Sequence, residues 1–171
     1  MAANTVVVDM QLRIASIQDL DALERIELAC FDNDRLSRRR MSYWLKADNG
    51  ILVLAQKAAE VVGYGLVILR KGSRSARLYS LAVLPNARGH NIAPALLLKL
   101  EEIALTEQRL FMRLEVAEDN LGAIKMYKKL GYRKFGIYRQ YYETGADALR
   151  FQKAIQQTTM ASNMSYYPWY K

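Results

Sequence analysis

Two stretches of the chain carry residue types at spacings that could do chemistry. The first is the junction Val83-Leu84-Pro85-Asn86-Ala87-Arg88-Gly89-His90-Asn91-Ile92-Ala93, which follows a strand-like segment and opens a helical one. A helix start carries unpaired N–H groups and a partial positive charge, so it suits a diphosphate. Gly89 permits close backbone approach, Arg88 adds charge, and Asn91 tolerates left-handed backbone and can cap the helix. The same residues also read as an ordinary strand-to-helix turn. Neither G-x-x-x-x-G-K-[ST] nor G-x-G-x-x-G occurs here, so ATP hydrolysis and Rossmann-type dinucleotide binding lose their usual support.

The second stretch runs from Glu115 to Tyr132. Asn120, Ala123, Ile124 and Tyr127 fall at i, i+3, i+4 and i+7, on one helix face. The small Ala123 leaves room there for a ligand arm, and Tyr127 presents its phenol two turns below Asn120. Taken alone, such a tyrosine is more often a core residue. His90, the only histidine, sits inside the candidate phosphate loop, which argues against its being a general base. Cys30, the only cysteine, reads as a small core residue on an apolar helix stripe.

These residues need a scaffold, and the patterning supplies one. Residues 11–15 read as a first strand. Ser16 and Asp19 form a capping pair for a helix with a stripe at Leu20, Leu23, Ile26 and Ala29. Ser37 caps a second helix carrying Met41, Trp44 and Leu45. Strands follow at 51–57, 61–69 and 76–83, with a turn at Lys71-Gly72-Ser73. A helix spans about 92–107, a strand 110–116 and a helix about 119–130, stopped by Gly131. Strands at 132–139 and 147–155 complete the set. The order β-α-α-β-β-β-α-β-α-β-β predicts a mixed α/β sheet in one domain over residues 1–156, followed by an aromatic tail at 157–171.

Composition narrows the class. The chain has 171 residues, 51% hydrophobic and 25% charged, which is one domain's length with ample core. No apolar run approaches the roughly 18 residues needed to span a bilayer, and no basic leader precedes one. The cytoplasm and no membrane partner are the expectation, and one histidine and one cysteine leave little for a zinc site, so no metal is expected. The net charge of +8 suggests a polyanionic partner: nucleic acid, a ribosomal surface or a phosphate-rich cofactor.

Arg88-Gly89-His90-Asn91-Ile92-Ala93 resembles motif A of the GCN5-related N-acetyltransferases (the GNAT superfamily), written Q/R-x-x-G-x-G/A, with Asn91 replacing a glycine and Pro94 lacking an N–H. Asn120 to Tyr132 resembles motif B, N-x-x-A-x-x-x-Y-x-x-x-G-[FY]. The resemblance covers about residues 12–155. It is nearest to the ribosomal-protein alanine (RimI-like) branch, on Leu114-Glu115-Val116 and on Tyr141-Tyr142 followed by Gly145-Ala146-Asp147-Ala148-Leu149. The segment Phe31 to Ser37 departs from that branch.

The resemblance implies a single-domain fold with a mostly antiparallel sheet of about seven strands, about four helices and splayed central strands. It implies acetyl transfer from acetyl-coenzyme A to a primary amine, a protein N-terminal α-amine or a ribosomal protein being the expected acceptor. The pantetheine arm would pair with Leu81, Ala82 and Val83, and the diphosphate would rest on Arg88, Gly89, His90, Asn91, Ile92 and Ala93. Asn120 and Ala123 would flank the arm. Tyr127 would be the general acid and Glu115 the base. The structural alternative for Glu115 is an ion pair with Arg113, two residues away on the same strand face. Arg35, Arg38, Arg39 and Arg40 form either a solvated face or an acceptor entrance. The aromatic tail has three open readings: it packs on the body, pairs with a second subunit as in a homodimer, or stays disordered. Two other functions stay open: a small-molecule amine acetyltransferase of aminoglycoside or polyamine type, which needs an acidic acceptor cleft, and a non-catalytic basic RNA- or ribosome-binding module, which would leave the paired motifs unexplained and for which no nucleic-acid motif is present.

Overall fold

The structure is a computed structural model that describes residues 10–155; the tail at 157–171 lies outside them. Its elements follow the expected order: β1 (Met10–Ile14), α1 (Leu20–Cys30), α2 (Arg38–Lys46), β2 (Gly50–Lys57), β3 (Glu60–Leu69), β4 (Ser75–Val83), α3 (Ile92–Thr106), β5 (Phe111–Ala117), α4 (Leu121–Lys129), β6 (Arg133–Tyr138) and β7 (Ala148–Ala154). One sheet holds all seven strands, in the order β1-β2-β3-β4-β5-β7-β6. Every neighbouring pair is antiparallel except β4 and β5. A parallel pair needs a crossover, and α3 provides it.

Helices cover both faces of the first half of the sheet. Tyr64 and Gly65 are successive residues of β3 and so point to opposite faces. The Tyr64 hydroxyl donates to Glu27 of α1. On the other side a Cβ at Gly65 would lie 2.5 Å from Leu100 Cδ1 of α3, so any larger residue there would force the Leu100 side chain to shift. Glu27 is a buried carboxylate, 2% exposed, and burial pushes its pKa up. It also accepts from the Leu36 N–H at 2.7 Å, while the Tyr64 hydroxyl lies 2.8 Å from Ser80 Oγ. This one network ties α1, β3, β4 and the α1–α2 loop together.

At the entry to α1, the Ser16 N–H donates to Asp19 Oδ2 at 2.7 Å, which realises the expected capping pair. Asp19 also accepts from both terminal nitrogens of Arg13, at 2.9 and 2.7 Å. Ser37 accepts from the Arg40 N–H, capping α2 as expected. The expected stripe of α1 is off in one place: Ala29 is exposed and Glu27 is buried. Steps of three lag a full helical turn, so the stripe drifts and the buried face runs through Leu23, Ile26 and Glu27 instead.

Two irregularities shape the middle of the sheet. Between Ser80 and Leu78 the register of β4 against β3 slips by one, which leaves Tyr79 as a bulged residue. Beyond that point β4 and β5 part company. They pair only over Ser75–Leu78 and Phe111–Leu114. Tyr79 to Val83 and Glu115 to Ala117 therefore have no partner across the gap, and the sheet opens into a fork.

Candidate active site

The fork ends at the β4–α3 junction. Gly89 has φ +82° and Asn91 φ +58°, both in the left-handed region. Asparagine is the side chain that tolerates this best after glycine, which accounts for its replacement of the motif glycine. Asn91 makes no side-chain cap bond, contrary to its expected second role. The N–H groups from Gly89 to Ala93 have no acceptor among the described residues. They form a consecutive run of donors at the start of a 15-residue helix, an arrangement suited to an anion. Arg88 folds back instead of reaching outward: its Nε donates to the Val83 carbonyl at 3.0 Å. His90 Nδ1 lies 3.2 Å from the Ala87 carbonyl, within the loop and far along the chain from the fork's acidic group.

Glu115 sits where β5 leaves β4. Its side chain is 10% exposed, and its Oε2 accepts from Arg77 Nε at 3.1 Å. Arg77 stands on β4 opposite Arg113, and it also donates to the Tyr141 hydroxyl at 2.9 Å. Arg150, directly across on β7, holds its Nε 3.8 Å from Glu115 Oε1. Oε1 has no hydrogen-bond donor among the described residues. The alternative pairing of Glu115 with Arg113 does not form. Arg113 donates to Gln152 Oε1 at 2.6 Å. Residues i and i+2 on a strand stand about 7 Å apart, whereas cross-strand neighbours stand about 5 Å apart, so the neighbouring strands supply the partners.

α4 carries the motif helix. Asn120 is its N-cap and accepts from the Ala123 N–H at 3.2 Å, a structural task the sequence did not assign it. Ala123 is half-buried; Ile124 and Tyr127 are buried. The Tyr127 ring meets Tyr132 edge-on, 5.7 Å between centres. Tyr132 in turn donates to Glu101 of α3 at 2.7 Å, which anchors α4 to the core. Burial, with help from the nearby Tyr142 phenol, pushes the Tyr127 pKa well above the usual phenol range. Tyr142, on the β6–β7 loop, is pushed up to about 12 by burial and by Tyr141, Glu115 and Asp34.

Residues 17–132 match the Acetyltransferase (GNAT) family. The chain belongs to that family. An uncharacterized N-acetyltransferase of Methanocaldococcus jannaschii is 34% identical to this GNAT chain over 141 residues, spanning 82% of the chain and 88% of that protein. An N-alpha-acetyltransferase of Sulfolobus acidocaldarius is 27% identical over 154 residues, covering 82% and 90%. Among solved structures, the ribosomal-protein-S18-alanine N-acetyltransferase from Escherichia coli superposes with a TM-score of 0.77 at 21% identity, over 87% of this chain and 96% of that one. The protein is thus an N-acetyltransferase of the GNAT fold, in a family that uses acetyl-coenzyme A. Among the described residues no helix is long and apolar enough to cross a membrane.

The sequence reading missed Arg77 and Arg150. Their only sequence signal is a cation inside an otherwise strand-like run, which becomes meaningful once the register is known. The basic run of α2 divides into separate tasks. Arg38 pairs with Asp21 and Glu24 of α1 at 2.7 and 2.6 Å. Arg40 donates to the Tyr79 hydroxyl at 3.2 Å. Cys30 is half-buried and points its Sγ at the Val83 carbonyl, 3.4 Å away, so it faces the end of β4.

Proposed function

We propose that the protein is an N-terminal α-amine acetyltransferase acting by direct attack on the thioester. The observation that carries this reading is the fork, with free backbone on β4, a run of free N–H groups at its end and Glu115 at its apex. In this reading the pantetheine arm adds to the open edge of Leu81, Ala82 and Val83 as a strand would. The diphosphate rests on the loop from Arg88 to Ala93 and takes the free N–H groups of Gly89, His90, Asn91, Ile92 and Ala93, while Asn120 and Ala123 flank the arm. The amine nitrogen attacks the acetyl carbonyl carbon, and its surplus proton passes to Glu115 Oε1, directly or through a water. The tetrahedral oxyanion then collapses and breaks the C–S bond.

Tyr127 serves the departing sulfur. A phenol held above its usual pKa stays protonated at every working pH, so it always has a hydrogen to donate. Full transfer to a thiolate, whose conjugate acid ionises near about 8.5, is uphill. The phenol therefore works chiefly as a hydrogen bond that strengthens as charge develops on sulfur.

The acceptor class is supported by amine chemistry. At pH 7 about a tenth of an α-amine of pKa about 8 is neutral, against some four parts in ten thousand of a lysine at about 10.4. A lysine enzyme must supply about 3.3 kcal/mol more for deprotonation, and one carboxylate already engaged by Arg77 suits the easier amine. An aminoglycoside or polyamine acceptor carries several positive charges, which the arginines beside Glu115 disfavour. Calorimetry with acetyl-coenzyme A and mass spectrometry of a peptide panel test the proposal together. Micromolar cofactor binding with acetylated N-termini is the expected result. Acetylation of internal lysines alone would refute it, and salt-sensitive RNA binding without cofactor affinity would point to the non-catalytic alternative.

A further inference from the structure

The sheet face that carries Glu115 continues past the helices onto β5, β7 and β6, and its charge is lopsided. Arg77, Arg113 and Arg150 share this face with one carboxylate, that of Glu115. Leu114, Val116 and Phe151 alternate with them and point into the core. Like charges gathered around the amine site repel one another and repel an incoming ammonium.

Two of these guanidinium groups are held in place without a hydrogen-bonded carboxylate: Arg113 has no ion pair among the described residues, and Arg150 meets Glu115 only at 3.8 Å. Arg150 stacks between two rings, its guanidinium carbon 4.6 Å from the centre of Phe135 and 4.2 Å from that of Tyr138. Its Nε is buried with no hydrogen-bond partner among the described residues. Arg113 lies 5.2 Å from the Phe135 centre, is fixed by Gln152, and has no ion pair among the described residues. Phe135 and Tyr138 are themselves 44% and 40% exposed, so the ledge is open. The arrangement pre-pays the ordering of two forks that match a carboxylate.

We propose that Arg113 and Arg150 select acceptor peptides with a side-chain carboxylate at the second or third residue. The proposal rests on the α-amine reading of the Glu115 site. Arg113 stands about 7 Å along β5 from Glu115, and an extended chain advances about 3.3 Å per residue, so an amine at Glu115 places those side chains over the ledge. Farther along the same strands a groove lined in part by Arg133, Lys134 and Phe135 continues the basic surface.

The test is kcat/KM on peptides identical except for Glu, Gln or Lys at the second residue, with the series repeated at the third. The expected order is Glu over Gln by about tenfold and Gln over Lys by a similar factor, carried mainly in KM. The preference should shrink as salt is raised, because the ledge is solvent-exposed. Arg113→Glu changes an exposed side chain, so the fold is retained, and the preference should invert toward Lys. Arg150→Gln, with its folding checked by circular dichroism, should bring Glu and Gln peptides close together. Equal rates on the Glu and Lys peptides at both positions, or a preference unmoved in Arg113→Glu, overturn the ledge while leaving the α-amine reading intact. Failure to acetylate any N-terminus overturns both.

Discussion

Replacing Tyr127 with phenylalanine removes one oxygen from a residue only 7% exposed, and it separates the catalytic from the structural meaning of that oxygen. The Tyr127 hydroxyl has no hydrogen-bond partner among the described residues, so no buried group is orphaned by its loss. The edge contact with Tyr132 at 5.7 Å survives, because it belongs to the ring. Stability should change by no more than about 0.5 kcal/mol, which for a chain of this size is a melting shift of about 2 °C or less. Catalysis should respond differently. One donor aimed at developing charge in a dry site is worth about 2.7–4 kcal/mol, and loss of an acid catalyst costs a factor of about 10²–10⁴. The measurement is the rate of thiol release from acetyl-coenzyme A with a peptide acceptor, beside calorimetry for the cofactor. The expected result is a fall in kcat by about 10²–10⁴-fold with cofactor affinity nearly unchanged. Turnover within threefold of the unmodified protein would refute the role of the phenol. A melting temperature lowered by more than about 5 °C would show instead that the hydroxyl holds the fold.

Other perturbations test the remaining links. Because burial keeps the Tyr127 phenol above its ordinary range, kcat/KM should rise toward about pH 8 with the acceptor amine and show no descending limb from this residue below about pH 10; a fall starting near pH 9 would contradict that. Asp19 is drawn down to about 2 by its bonds from Arg13, so its contribution exists above its unfolded value near 3.9 and disappears as pH falls through about 2. Asp19→Asn should therefore cost about 1–2 kcal/mol at pH 7, a figure reduced for the 39% exposure of Arg13, and the gap in urea unfolding should close near pH 2. Glu27→Ala should cost about 2–4 kcal/mol, because the buried Leu36 N–H loses its acceptor and the Tyr64 hydroxyl loses one of two partners; a change under about 1 kcal/mol in thermal unfolding would show that the network is dispensable.

Local chemistry was readable along the chain. The capping pair at Ser16 and Asp19, the Ser37 cap, the left-handed Asn91 and the face of Ala123, Ile124 and Tyr127 all depend on residues within one or two turns of each other, and each is present. The element order and the mixed sheet followed from periodicity, because strand and helix repeats differ enough to be told apart over ten residues. The drift of the α1 stripe and the capping task of Asn120 were misjudged or missed, since both turn on a single residue's place in its helix.

What the sequence by itself determined is therefore the list of parts: a strand, a turn with left-handed backbone that opens a helix, a helix with a phenol on its inner face and a glutamate at the end of a strand. Only tertiary structure decided how those parts meet. The fork exists because β4 and β5 stop pairing after Leu78 and Leu114, a matter of register between segments a crossover helix apart. Glu115 takes Arg77, 38 positions away in sequence, in preference to Arg113 two positions away. The reason is geometric: a strand carries its own alternate side chains about 7 Å apart, while pairing brings a neighbour's within about 5 Å, so the partner of a charged group in a sheet is chosen by the fold.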